Sequence, residues 1–299
     1  MNKKSVSFLA SAGLVLTAAI WGFAFVVVKD SLDYIGAIYM IAIRYTIASL
    51  VMALIFIKKL RNINRKYILH GLLSGAFLFL AYTTQTIGCD YTTAGKNAFL
   101  TTSYVILIPL LTWIIYKKRP GWYVFVAAIL SVTGIGLLAL GTDDSASINI
   151  GDILTLICGL FYALHIIWTE KYNKLGDDPL LLTLLQFLAC TIYGWLFAPI
   201  YDGAFPLAAF QTPRVIFSML YLGLFSTMLC FSLQNIGLKY VKSSLASLFL
   251  SFESVFGILF SAIILHEQIT LRMGFGCVLI FLAVILAETK FQFREGKSD

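Results

Sequence analysis

Ten runs of apolar residues follow one another along the chain, near 8–28, 37–57, 68–88, 94–115, 122–140, 151–169, 179–200, 215–238, 244–265 and 271–288. Each is close to the roughly 20 residues an α-helix needs to cross a hydrocarbon layer about 30 Å thick. Barrel strands would alternate over runs of about ten residues, and these runs are continuously apolar. The pattern predicts an all-α polytopic membrane protein of ten transmembrane helices, with almost nothing left for a soluble domain. The first run follows Lys3 and Lys4 and imitates a secretory signal. It is too long for a typical signal core, lacks a convincing cleavage site and is needed by the repeat described below, so it reads as a span.

Within these runs, polar residues recur at helical spacing. Thr155, Cys158, Tyr162, His165 and Thr169 fall at i, i+3, i+7, i+10 and i+14 and mark one face of the sixth segment. Asn97, Thr101 and Tyr104 do so on the fourth, Tyr82, Gln85 and Cys89 on the third, Ser226, Cys230 and Gln234 on the eighth, and Thr17 with Trp21 on the first. A single stripe could be interhelical glue, each bond contributing about 0.6 kcal/mol. Five stripes on different helices point to a shared wet cavity. Gly71 and Gly75 form a GxxxG on the third segment, which predicts close packing against a neighbour.

Composition agrees. Of 299 residues, 60% are hydrophobic and 12% charged, and the mean hydropathy is +0.88. A soluble domain is nearer half apolar and a quarter charged, so soluble, disordered and collagen-like classes are excluded. The net charge of +7 is a matter of position rather than of nucleic-acid binding. With a cytoplasmic N-terminus, the inner side holds Lys3, Lys4, Lys58, Lys59, Arg61, Arg65, Lys66, Lys117, Lys118, Arg119, Lys171, Lys174, Lys239, Lys242, Lys290, Arg294 and Lys297. The outer side holds Lys29, Lys96, Arg214 and Arg272, and the acidic pair Asp143-Asp144 faces outward. Seventeen against four places both termini in the cytoplasm. The five cysteines, at 89, 158, 190, 230 and 277, lie in or beside apolar segments without metal spacing. Neither a disulfide framework nor a zinc site is expected.

The chain also matches itself. Gln85-Thr-Ile87-Gly88-Cys-Asp-Tyr91 recurs 149 residues later as Gln234-Asn-Ile236-Gly237-Leu-Lys-Tyr240, and the offset continues through Ala127/Gly276 and Gly134/Ala283. An offset near 142 pairs Arg44-Tyr45 with Gln186-Phe187, and Trp21 with Tyr162. Two units of five segments follow, residues 1–145 and 146–299. Five is odd, so the second unit enters the membrane from the opposite side. The fold expected is therefore two inverted five-helix repeats, an arrangement that exposes a central site alternately to each face.

With these motifs in place, the sequence resembles the drug/metabolite transporter superfamily, in its ten-helix EamA-like branch. The likeness covers nearly the whole chain. It rests on Trp21-Gly22, Arg44-Tyr45, Thr93-Ala94-Gly95, Asn97-Ala98-Phe99-Leu100-Thr101, Gly151-Asp152, Ser244-Leu-Ala246-Ser247-Leu248, and Glu253 with Glu267. It departs where Ser254 follows the glutamate in place of a frequent proline, where Lys117-Lys118 replace a glutamate, and where Lys96 replaces a small residue. The resemblance implies a cavity between the halves lined by segments 1, 3, 4, 6, 8 and 9, and export or exchange of small metabolites.

Charged groups inside hydrocarbon cost at least a few kcal/mol each, so every one needs a partner, a cavity or a function. Glu253 lies about ten residues into the ninth segment, near 15 Å of rise, close to the midplane. At that depth it is a candidate to couple protons or to meet a substrate ammonium. A stripe of Ser243, Ser247, Ser251 and Ser254 runs a third of a turn away. Arg44, about 10 Å in from the outer surface, is a partner for Glu253, a receiver of a substrate carboxylate, or a clamp between helices. Lys96 is expected to snorkel toward the outer interface. His165 is the pH-sensitive member of its stripe.

Enzyme motifs fail on inspection. His266-Glu267 is followed three residues on by Thr270 rather than by His, and no Walker A or calcium loop occurs. The chain shows no filter-like segment or ring of like charge for a channel. The reading is a secondary transporter, not an enzyme, exporting or exchanging a small amphipathic metabolite, an amino acid first, with proton coupling open. Its alternatives are a drug or toxic-compound efflux carrier of the same fold and, from another class, an intramembrane enzyme. The expected cavity residues are Trp21, Tyr82, Gln85, Asn97, Thr101, Tyr104, Tyr162, His165, Gln234 and Glu253, with Glu253, Arg44 and His165 as coupling or charge partners. No cofactor and no metal are expected. The expected partners are a small-molecule substrate and the lipid bilayer, without nucleic acid, for a monomer or homodimer in the cell inner (plasma) membrane.

Overall fold

The computed structural model describes residues 3–117, 119, 121–139, 149–240 and 243–295. The acidic pair Asp143-Asp144, and Lys118, Lys242 and Lys297 of the basic clusters, lie outside the described residues. Every element among the described residues is helical. The α-helices are α1 (Lys3–Ser31), α2 (Ala37–Ile55), α3 (Arg65–Tyr91), α4 (Ala94–Thr101), α5 (Tyr104–Tyr116), α6 (Trp122–Ala139), α7 (Ile150–Lys174), α8 (Pro179–Tyr201), α9 (Pro213–Leu220), α10 (Cys230–Tyr240), α11 (Ser243–Ile264) and α12 (Leu271–Glu295). Short 3-10 turns cover Ile57–Asn62 and Leu207–Gln211.

Seven helical stretches are long and apolar enough to cross a membrane, and shorter apolar helices cover Trp122–Gly134, Phe249–Ile264 and Gly274–Ala283. Large apolar side chains such as Ile129, Ile200 and Phe275 stand about two-thirds or more exposed, as lipid-facing side chains do.

Local sequence sets the helix ends. Asn64 accepts from the N–H of Tyr67 to start α3, and Asn149 and Asp152 form a reciprocal capping box for α7. Asp178 accepts from Leu180 and Leu181 at the start of α8, where Pro179 has no N–H to lose. Lys117, at φ 59°, ends α5 in the left-handed region.

Two segments that read as uninterrupted are not regular helices. The fourth breaks between α4 and α5, where Thr102 and Ser103 turn to 3-10 bonding: their N–H groups donate to Phe99 and Leu100, at 3.2 and 3.1 Å. The Thr102 hydroxyl also donates to the Phe99 carbonyl, at 2.6 Å, which tightens the turn. In the eighth, Tyr221–Leu229 forms a π-helix between α9 and α10. Such wide turns are rare and concentrate at functional places. An apolar run shows length and polarity but not the hydrogen-bond register within it, so neither break was visible.

The most extensive helix contacts all join a helix before residue 145 to one after it: α3 with α7 and α8, α1 with α11, α6 with α12, α2 with α8, and α4 with α11. Lipid offers no hydrophobic drive for helix association, so close approach through small residues does the work. Gly71 and Gly75, the expected packing pair, face Leu185 and Ala189 of α8. Gly22 of α1 lies so near α11 that a Cβ would stand 2.8 Å from the Gly257 nitrogen and 2.9 Å from the Phe256 carbonyl carbon. Gly22→Ala should therefore lower stability by about 1–3 kcal/mol, as overpacking does. Gly274→Ala, where a Cβ meets nothing within 4 Å, should leave it unchanged or slightly raised. Thermal unfolding of the purified variants checks the pair.

At the ends of α7 and α8, Lys59 bonds Asp178 at 2.5 Å, and His70 Nδ1 lies 2.6 Å from Asp177. Burial pushes the Asp178 carboxyl up, but the Lys59 hydrogen bond and charge, with the N–H groups of Leu181 and Leu180, outweigh it and hold the group below its ordinary value. A carboxyl held low in the folded state adds stability above its unfolded pKa of about 4, and that stability is lost as pH falls through the folded value. Both side chains are more than a third exposed, so the effect is small. Asp178→Asn should lower the melting temperature slightly at pH 7, and the difference from the unaltered protein should shrink as pH falls below about 4 and vanish once it is below the folded-state value.

Candidate functional site

A small cavity, with about 30 Å³ of room for the centres of water-sized molecules, lies between helices of both halves. Trp21, Ala24, Phe25 and Val28 of α1, Ala81, Tyr82 and Gln85 of α3, Asn97 and Thr101 of α4 and Arg44 of α2 supply one side. Cys158 and Tyr162 of α7, Ser226 of the π-helix and Glu253 of α11 supply the other. Eight residues nominated by the sequence thus come together: Trp21, Arg44, Tyr82, Gln85, Asn97, Thr101, Tyr162 and Glu253.

The other three stand behind the wall. Tyr104 packs edge-on against Tyr162, ring centroids 5.0 Å apart. Gln234 Oε1 accepts from the Tyr162 hydroxyl at 3.4 Å. His165 stacks on Tyr162 at 5.8 Å, and its Nδ1 lies 3.0 Å from the Ser74 carbonyl. A carbonyl only accepts, so this contact fixes the proton on Nδ1 and turns the ring away from the cavity.

Arg44 is buried at 2% exposure, and among the described residues its charge has no carboxylate partner. Its Nε donates to the Thr227 hydroxyl at 2.9 Å and its Nη2 to the Ser226 hydroxyl at 3.0 Å. The guanidinium also lies 4.7 Å from the centre of the Tyr82 ring, a cation–π contact. Trp21 Nε1 donates to the Ser226 carbonyl at 2.7 Å, so two cavity residues hold the π-helix. Of the three roles open to Arg44 in the sequence, the clamp between helices is the one seen. No hydrogen bond or ion pair links it to Glu253 among the described residues.

Asn97 uses both amide hydrogens, toward the Gln85 carbonyl at 3.1 Å and the Thr155 hydroxyl at 2.8 Å. Gln85 Nε2 donates to the Thr101 hydroxyl at 3.2 Å, and Thr101 donates to the Asn97 carbonyl at 2.8 Å. Two acceptors are left over: Asn97 Oδ1 and Glu253 Oε1 are buried and have no hydrogen-bond partner among the described residues. A buried acceptor without a donor is costly, and in a cavity wall it marks where a ligand or water belongs.

Lys96 does not snorkel. It is 5% exposed and its Nζ lies 3.3 Å from Asp152, which is equally buried. The expectation failed because the acid lies 56 residues away in sequence, and an apolar-run reading sees no partner for the lysine. Of the serine stripe on α11, Ser251 and Ser254 are buried; the side chains of Ser243 and Ser247 lie outside those described. The apolar wall of Ala24, Phe25, Val28 and Ala81 was not nominated, because apolar cavity residues look like any other apolar residues in such a chain.

Against this geometry, the model of the EamA-like transporter family matches residues 9–140 and again 149–289. A protein named as an uncharacterized transporter of Archaeoglobus fulgidus is 36% identical over 290 residues, covering 94% of this chain and 86% of the relative. The uncharacterized transporter YoaV of Bacillus subtilis is 22% identical, with 95% and 98% covered. One crystal structure superposes with a TM-score of 0.66 over 96% of this chain and 98% of its own, at 14% identity, a likeness of fold. The chain belongs to the EamA-like transporter family, and it is a multi-pass membrane protein of transporter type.

Proposed function

We propose that the protein is a secondary carrier that moves a small amino acid, or a similar zwitterion, by alternating access. The observation that carries the reading is the cavity's chemistry. The lining offers two buried acceptors without hydrogen-bond partners among the described residues, Asn97 Oδ1 on α4 and Glu253 Oε1 on α11. It also offers the Arg44 guanidinium, held by two hydroxyls and the Tyr82 ring and without a carboxylate partner among the described residues. An ammonium suits the first and a carboxylate the second, and the rings of Trp21, Phe25, Tyr82 and Tyr162 suit a modest apolar side chain. A polyanion would need more cations at this depth.

Two inverted five-helix repeats, residues 1–145 and 146–299, are the architecture proposed. Helix contacts come in exchangeable pairs, which supports it. α1 packs on α11 as α7 packs on α4 and α5. α3 packs on α7 as α10 packs on α1, and on α8 as the π-helix packs on α2. The α2–α8 and α6–α12 contacts map onto themselves. Arg44 and its counterpart Gln186 behave alike: Arg44 reaches Ser226 on the eighth segment, and Gln186 Nε2 reaches Ser74 on the third, at 3.1 Å. Carriers of inverted repeats expose a site at the repeat seam first to one face and then the other. The basic clusters set the termini in the cytoplasm of a cell whose plasma membrane holds the chain, with export or exchange as the direction.

Counterflow in proteoliposomes tests this reading. Vesicles loaded with unlabelled amino acids should accumulate the labelled amino acid transiently; a channel would only dissipate the gradient, and an enzyme would leave a new product. Glu253 is the proposed site of proton coupling. Glu253→Gln should abolish uptake driven by a pH gradient while the purified protein keeps its melting temperature. Undiminished pH-driven uptake in that variant removes Glu253 from the coupling.

A further inference from the structure

The first turn of α4 is gripped by two carboxylates of the other half, on the side of the membrane taken above as outer. Glu267, in the connection between α11 and α12, accepts from the backbone N–H groups of Ala94 at 2.7 Å and Gly95 at 3.0 Å. These open α4, so they have no acceptor within the helix and carry the positive end of its dipole. Asp152, at the start of α7, accepts from the Thr92 hydroxyl at 2.6 Å and from Lys96 Nζ at 3.3 Å. One acid holds the backbone and the other a side chain, which fixes α4 against both sliding and turning.

Space is short between the grips. A Cβ on Gly95 would stand 2.8 Å from Ser261 Oγ and 3.1 Å from Glu267 Oε2. The next turn of the same helix places Asn97 and Thr101 in the cavity wall. A departure of α4 from the second half would therefore uncover the outer end and reshape the binding surface in one motion. The grip is strong while dry and weakens as water enters, because charge pairs lose most of their attraction in a high dielectric. That is the behaviour of a two-state contact rather than of a graded one.

We infer that Glu267 and Asp152 are positioning residues of the transport cycle, clasping α4 to the second half to keep the outer mouth shut and releasing it when the carrier opens outward. The inference rests on the alternating-access reading. Spin labels on Tyr91→Cys and Gln268→Cys, both exposed positions, placed in a background without native cysteines, report the gap across the clasp by pulsed electron–electron double resonance in lipid nanodiscs. The intact clasp should give mainly a short distance. Asp152→Asn with Glu267→Gln should raise the share of a longer distance relative to the short one by about tenfold. Since Asp152→Asn leaves Lys96 buried without its counter-charge, a second variant adds Lys96→Met and leaves no ion behind; it should show the same longer population. Distances unchanged in folded variants of both kinds overturn the clasp. Counterflow separates the two readings: moved distances in a protein without counterflow support the clasp and remove the carrier, whereas counterflow with unmoved distances removes the clasp alone.

Discussion

In hydrocarbon there is no water to complete a hydrogen bond, so every polar group within the bundle has to be answered by another group of the protein. This constraint organises the molecule. Arg44 is answered by two hydroxyls and an aromatic face, Lys96 by Asp152, and the opening N–H groups of α4 by Glu267. Gln186 gives its amide hydrogens to Ser74 and Thr169. The set is not complete: Oε1 of Gln186, Oδ1 of Asn97 and Oε1 of Glu253 are among the buried atoms without a hydrogen-bond partner in the described residues, and of these three Asn97 and Glu253 line the cavity.

The same constraint explains why the two halves interlock. Since lipid tails are as apolar as the helices, association rests on close contact and on polar bonds between helices. Gly22, Gly71 and Gly75 let backbones approach. Asn97 to Thr155, Trp21 to Ser226 and Arg44 to Ser226 each tie a helix of one half to a helix of the other. The cavity lies at this seam because that is where paired polar faces meet without filling the space.

Much of this could be read in the sequence. Ten apolar runs marked the helices, and the stripes on the first, third, fourth, sixth and eighth segments marked the faces that meet. Six of the eight nominated residues that line the cavity sit on these stripes, because helical spacing fixes which side chains share a face, and Arg44 and Glu253 were marked instead by their charge at membrane depth. What the spacing cannot give is depth behind that face. Tyr104, His165 and Gln234 share its stripes yet stand one layer back, turned toward Tyr162 or the Ser74 carbonyl. Partners distant in sequence were also invisible: Lys96 with Asp152, and Glu267 with the start of α4. The π-helix left no trace, because one extra residue per turn changes hydrogen-bond register without changing polarity.

Cys158 lies in the cavity wall and gives the account its most direct test. As the sole cysteine of a reconstituted protein turning over an amino-acid mixture, it can be challenged with a membrane-impermeant thiol reagent applied to each face in turn. The account predicts modification from both faces, since the seam is wet and opens alternately. A folded, active protein in which Cys158 resists the reagent from either side, or reacts from one side alone, would contradict it.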